Sequence, residues 1–259
     1  MRPNAFALLP LVAALGLGAC GGSARPTLSS DPTVNPTSTS AILPSDPETE
    51  TSVDPRSSLD ARGVVARVTN SIEVFDAPNG SVVQTLSPTT EFGSATTLAG
   101  VDWSDPQRTW LRVQVPVRPN GTTGYVRASD VALGRTDLHI EVDLGARRIL
   151  VRDGMTILVD SSVAVGAADT PTPTGSFFVT DVVDTPNDAG AYGPFALGLS
   201  AHSDVLEQFG GGDGQIAIHG TDQPSSIGAA VSHGCVRVPN DVVNQLADIV
   251  PLGTPVTIH

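Results

Sequence analysis

The stretch Gln215-Ile216-Ala217-Ile218-His219-Gly220-Thr221, followed after a short loop by Ser232-His233-Gly234-Cys235-Val236-Arg237-Val238-Pro239-Asn240, decides how this chain is read. Residues 215–218 form an apolar alternating run and predict a buried strand that ends on His219. A residue at a strand end is held rigidly at the rim of a sheet. Of the two cysteines in the chain, Cys235 is the one outside the first 20 residues, and two of the five histidines shortly precede it. A thiol with an ordinary pKa of about 8.5 is a poor nucleophile at neutral pH. A nearby imidazole that accepts its proton remedies this. Both His219 and His233 are candidates for that role. Because His233 lies two residues from Cys235, its ring need not face the sulfur, and His219 is the better-placed base. Gly220 and Gly234 each follow a histidine and permit conformations or close approaches that a side chain would block. Amides beside Cys235 are then candidates for an oxyanion hole. A buried structural cysteine and a zinc site are the competing readings of the same residues.

His219-Gly220-Thr221 with Ser232-His233-Gly234-Cys235-Val236-Arg237-Val238 resembles the signature of L,D-transpeptidases, the YkuD-type catalytic domain. Upstream, Thr170-Pro171-Thr172-Pro173-Thr174-Gly175-Ser176-Phe177 is similar to the family's threonine–proline turn, and Tyr192-Gly193-Pro194-Phe195 to its tyrosine-bearing segment. The resemblance implies Cys235 as nucleophile, His219 as base, and the Gly220 carbonyl as the group that orients the imidazole. It further implies that His233 and Gly234 shape the oxyanion pocket, and that Tyr192, Ser232 and Arg237 contact substrate. The expected reaction is acyl transfer through a thioester on peptidoglycan stem peptides, without metal or organic cofactor, and with carbapenems acylating the cysteine. Three alternatives remain: an L,D-carboxypeptidase, a catalytically idle wall-binding protein tethered by lipid, and a cysteine endopeptidase of the wall.

The rest of the chain reads as a means of placing this unit. Residues 1–19 carry one early cation, Arg2, and an apolar run too short to span a bilayer, which is the pattern of a signal peptide. Leu17-Gly18-Ala19-Cys20-Gly21 resembles a bacterial lipobox, so lipidation of Cys20 is expected to anchor an exported protein at the cell membrane, facing the wall. Residues 20–62, rich in Ser, Thr, Pro and Asp, read as a disordered tether. A flexible coil of about 40 residues would reach roughly 35 Å. The net charge of −13 argues against a nucleic-acid partner.

Residues 63–134 hold short strand-like runs: Val64 to Val68, Ser71 to Phe75, Val82 to Leu86, Trp110 to Val115 and Gly124 to Val126. Turn chemistry at Asp76-Ala77-Pro78-Asn79-Gly80 and Pro119-Asn120-Gly121 separates them. Their order resembles a small bacterial SH3-like β-barrel, which implies either wall-peptide binding or a spacer. Residues 136–259 form the expected catalytic domain, mainly β and sandwich-like, with short helices. One helix is expected over 241–249, capped by Asn240, with Val242, Val243, Leu246 and Ile249 toward the core.

Overall fold

The computed structural model describes residues 61–208 and 212–259. The expected signal peptide, the lipidation site Cys20 and nearly all of the tether lie outside them. Among the described residues no helix is long and apolar enough to cross a membrane.

The protein is mainly β. Seven strands precede residue 137: β1 (Val64–Val68), β2 (Ile72–Phe75), β3 (Val82–Leu86), β4 (Thr97–Trp103), β5 (Trp110–Gln114), β6 (Thr123–Arg127) and β7 (Val131–Arg135). They form one antiparallel sheet in the order β3-β2-β6-β5-β4-β1-β7. Alternation sends Val64, Ala66 and Val68 of β1, with Leu111 and Val113 of β5, to one buried face. All five strand-like runs of the sequence are present. β4 and β7 are additional, and their Ala, Gly and Asp residues hid them from a β-propensity reading.

The second part contains β8 (Leu138–Asp143), β9 (Arg148–Asp153), β10 (Thr156–Ser162), β11 (Val165–Gly166), β12 (Gly175–Asp184), β13 (Phe195–His202), β14 (Gln215–His219), β15 (Ala230–Ser232), β16 (Val236–Arg237), the helix α1 (Asn240–Ile249) and β17 (Pro255–Ile258). Eight of these strands make a mixed sheet in the order β10-β9-β8-β17-β12-β13-β14-β16, while β11 and β15 pair separately. The β8–β17 and β14–β16 pairs are parallel and the other pairs of the large sheet antiparallel. Ile140 and Val142, Ile149 and Val151, and Ile216 and Ile218 all face the core that α1 covers with Val243 and Leu246. Val242 and Ile249 are partly buried at its margin. Asn240 does not cap α1, because its position is the first helical residue and Pro239 precedes it as the N-cap without a side-chain bond.

β12 joins the two cores. Phe177 and Val179 enter the core of the large sheet, while Phe178 between them enters the hydrophobic cluster of the small sheet and is fully buried. Opposite faces for successive side chains follow from the period-2 pleat, and burial on both faces explains the unbroken Phe-Phe-Val run. The polar seam beside it is specific. The Gln114 side chain donates to Ser176 O at 3.0 Å. Asn120 donates to His202 O at 2.7 Å and accepts from His202 N at 2.8 Å. Arg118 donates to the carbonyls of Ser203, Leu206 and Asp213 at 2.6, 3.0 and 2.8 Å.

Candidate active site

β14 holds the site in place. Ile216 and Ile218 bury one face, so Gln215, Ala217 and His219 share the other. The parallel partner β16 pairs Ile218 with Val236 and His219 with Arg237. This register brings Cys235, the residue just before β16, beside Ala217, whose N–H donates to Cys235 Sγ at 3.4 Å. The sulfur is half-buried and lines a cleft of about 460 Å³ floored by Ala196, Gly198 and Ala217. The small residues have a packing cause. A Cβ on Gly198 would stand 3.2–3.3 Å from Thr180 Oγ1, Asp181 Cβ and Gln215 Nε2. Space above the floor is therefore left to a ligand.

His219 is 4% exposed. Its Nδ1 lies 2.6 Å from Gly220 O. A carbonyl only accepts, so Nδ1 carries the proton and Nε2 keeps a free lone pair. The Tyr192 ring packs on the imidazole with centroids 4.7 Å apart, and the same tyrosine lines the cleft. The turn that supplies the Gly220 carbonyl is clamped by Asn240, whose Oδ1 accepts from Thr221 N at 2.7 Å. Gly220 and Gly193 admit this wedge only because both lack a side chain: a Cβ on either would come within 2.4–2.5 Å of Asn240 Oδ1. The sequence reading gave Asn240 the wrong task. The signal for the right one is the His-Gly-Thr turn, which needs a partner for its backbone.

Burial pushes the His219 pKa down to about 4, with the hydrogen bond to Gly220 opposing this and the Arg237 charge adding to it. Burial also pushes the Cys235 thiol up, against the Ala217 amide and the Arg237 charge, which both pull it down. At rest the thiol and the imidazole are therefore each neutral. The Tyr192 hydroxyl is raised by burial and by the neighbouring Cys235, while Arg237 lowers it.

The other predicted residues take different places. Ser232 is buried, and its hydroxyl donates to Cys235 O at 2.5 Å while accepting from Gly234 N at 3.2 Å. It therefore shapes the loop that carries Cys235 and does not line the cleft. Thr170 Oγ1 and Ala167 N hold the same loop through Ser232 O, which gives the threonine–proline turn a structural task. Gly234 has φ +116°, a conformation that a side chain would strain. Its amide donates to the Ser232 hydroxyl. His233 is exposed and Arg237 half-buried, and neither lines the cleft. The Arg237 Nε is buried without a hydrogen-bond partner, and its charge acts on His219 and Cys235 through space. His202 does not line this cleft itself, but pairs at 2.9 Å with Asp213, which does. Among the described residues no group of three or more His, Cys, Asp or Glu side chains could hold a metal ion.

Comparison with known proteins gives consistent matches to the second part of the chain. "Putative L,D-transpeptidase YkuD" of Bacillus subtilis (strain 168) is 39% identical over 121 residues, covering 47% of this chain and 65% of that protein. "Putative L,D-transpeptidase YqjB" of the same strain is 39% identical over 103 residues, 38% of this chain and 57% of that one. The chain thus spans less than two thirds of these relatives' length. The NMR structure of the catalytic domain from E. faecium L,D-transpeptidase acylated by ertapenem is 27% identical, covering 48% of this chain and 98% of that one, with a TM-score of 0.35. Residues 137–258 match the L,D-transpeptidase catalytic domain of the YkuD family.

Proposed function

We propose that the protein is a peptidoglycan L,D-transpeptidase that joins stem peptides through a thioester on Cys235. The observation that carries this reading is the placement of Cys235 Sγ on the cleft, one residue before β16, whose parallel partner β14 ends on a His219 whose tautomer is set by Gly220 O. His219 Nε2 takes the thiol proton as sulfur attacks the carbonyl of the diamino acid at the third position of a stem tetrapeptide. The amide of Cys235 faces the developing oxyanion. The imidazolium then protonates the leaving amine, and terminal D-alanine departs. An amine of a second stem attacks the thioester, gives its proton back to the imidazole, and releases the thiol with a new amide bond. His233 and Gly234 support this site through the loop, Tyr192 lies against substrate, and Arg237 tunes the charge of the pair.

Cys20 would carry the lipid that anchors the exported protein to the membrane, with residues 20–62 as the tether and the small sheet as an SH3-like spacer or wall-binding element. Incubation of the full-length protein with stem tetrapeptide, read by mass spectrometry, tests the reaction. A joined dimer with release of D-alanine, lost in Cys235→Ala, is expected. Free tripeptide without any dimer would make the enzyme an L,D-carboxypeptidase instead, and absence of both products from folded protein would leave the idle wall-binding reading.

A further inference from the structure

The cleft that holds Cys235 is not built by residues 137–258 alone. Glu91 and Phe92, from the turn that follows β3 in the small sheet, line it as well. That turn is well braced. Thr90 N donates to Ser94 O at 2.9 Å, Gly93 N to Thr90 O at 3.1 Å, and Thr96 N to Pro88 O at 3.0 Å. Thr89 and Ala95 pair as a bridge below it. Its base is pinned to the cleft, where the Thr90 hydroxyl donates to Oδ1 of Asp181, a carboxylate only 2% exposed that itself lines the cleft. Phe92 and Tyr192, 54% and 44% exposed, present aromatic surface to the same space. The charged side chains on the lining, Glu91, Asp181 and Asp213, are all acidic.

We propose that the Thr90–Ser94 turn is a specificity element of the active site, in which Glu91 recruits the cationic amine of the incoming acceptor stem and Phe92 covers its apolar part. The inference rests on the transpeptidase reading and adds to it a substrate-selecting role for the small sheet. An acidic wall attracts an ammonium group, which gives one proton to solvent before its nitrogen attacks the thioester, and it disfavours ligands that carry only carboxylates. Asp181, tied to Thr90, holds the turn against the cleft. Arg118 and Asn120 fix the same sheet to β13 and to the segment after it, so the wall has a set position.

The test uses the full-length protein, acylated at Cys235 by a stem tetrapeptide and then offered stem tetrapeptide as acceptor over a concentration series. Glu91→Gln, which keeps the size of the side chain, is expected to lower acceptor kcat/KM by about fivefold, the upper range for one partly exposed charge pair. It should also flatten the salt dependence of that constant, which a purely structural role for Glu91 would not do. Glu91→Lys should lower it further, and Phe92→Ala should raise acceptor KM more than it changes kcat. Discharge of the thioester to water, which has no charge to recruit, should fall less than discharge to the amine. Acceptor kcat/KM within about twofold of wild type, with unchanged salt dependence in both Glu91 variants, overturns the proposal. A wild-type protein that forms no thioester at Cys235 overturns the transpeptidase reading itself, and that result is seen before any variant is compared.

Discussion

His219→Ala is expected to slow acylation of Cys235 by roughly 10²–10⁴-fold, the range for loss of a positioned general base. The size of the loss follows from the electrostatics. Burial holds the thiol above its ordinary pKa, so without the imidazole almost no thiolate is present at neutral pH. Because the imidazole pKa sits at about 4, the acid limb of wild-type acylation should fall near that pH rather than near 6.5. The same shift is linked to stability. Between pH 4 and 6.5 the unfolded histidine binds a proton that the folded one does not, so stability rises with pH across that window. The depressed pKa corresponds to about 3 kcal/mol lost on going from neutral pH to below 4. Urea unfolding of wild type and His219→Ala at pH 4 and pH 7 should show the difference shrinking in the variant. An equally steep dependence in both would mean that the histidine is not buried neutral.

Phe178→Ala carries the other large effect. The ring is fully buried in the cluster of the small sheet while its backbone belongs to β12 of the large one. Truncation should cost about 3–5 kcal/mol, as for other buried aromatics reduced to alanine. The loss is not expected to stay local. β12 also carries Asp181, the partner of Thr90, so the Glu91–Phe92 wall should loosen with it. Denaturant unfolding should show a lower midpoint, and limited proteolysis should cut the turn around Gly93 sooner than in wild type. A change under about 1 kcal/mol would show that the two sheets do not share a core at this point.

How much of this was legible follows from the range of each interaction. β14, β8, β9 and β17 are written locally, in alternating β-branched residues with Gly154 at a hairpin turn. β13 was not foreseen because Phe195-Ala-Leu-Gly-Leu-Ser-Ala-His202 has no β-branched residue, and its Gly198 reflects crowding by β12 and β14. Cys235 and His219 could be singled out as candidates because nucleophiles and bases come from few residue types and stand here in a narrow pattern. Ser232 was taken for a substrate contact because sequence places it at the motif's start but does not show its hydroxyl turned inward to Cys235 O. Asn240 was read as a helix cap, the usual task of that residue at that position, but its Oδ1 goes to Thr221 N from 19 residues away. Glu91 and Phe92 were invisible, since nothing in a turn after β3 announces a cysteine more than a hundred residues later.

The most direct test is the intact mass of the full-length protein after exposure to a carbapenem across pH 3.5 to 8, beside Cys235→Ala. The dyad account predicts one covalent adduct on wild type, none on Cys235→Ala, and a rate that falls off in acid with a midpoint near the His219 value of about 4. An adduct that persists in Cys235→Ala, or folded wild type that forms none at any pH, would contradict it.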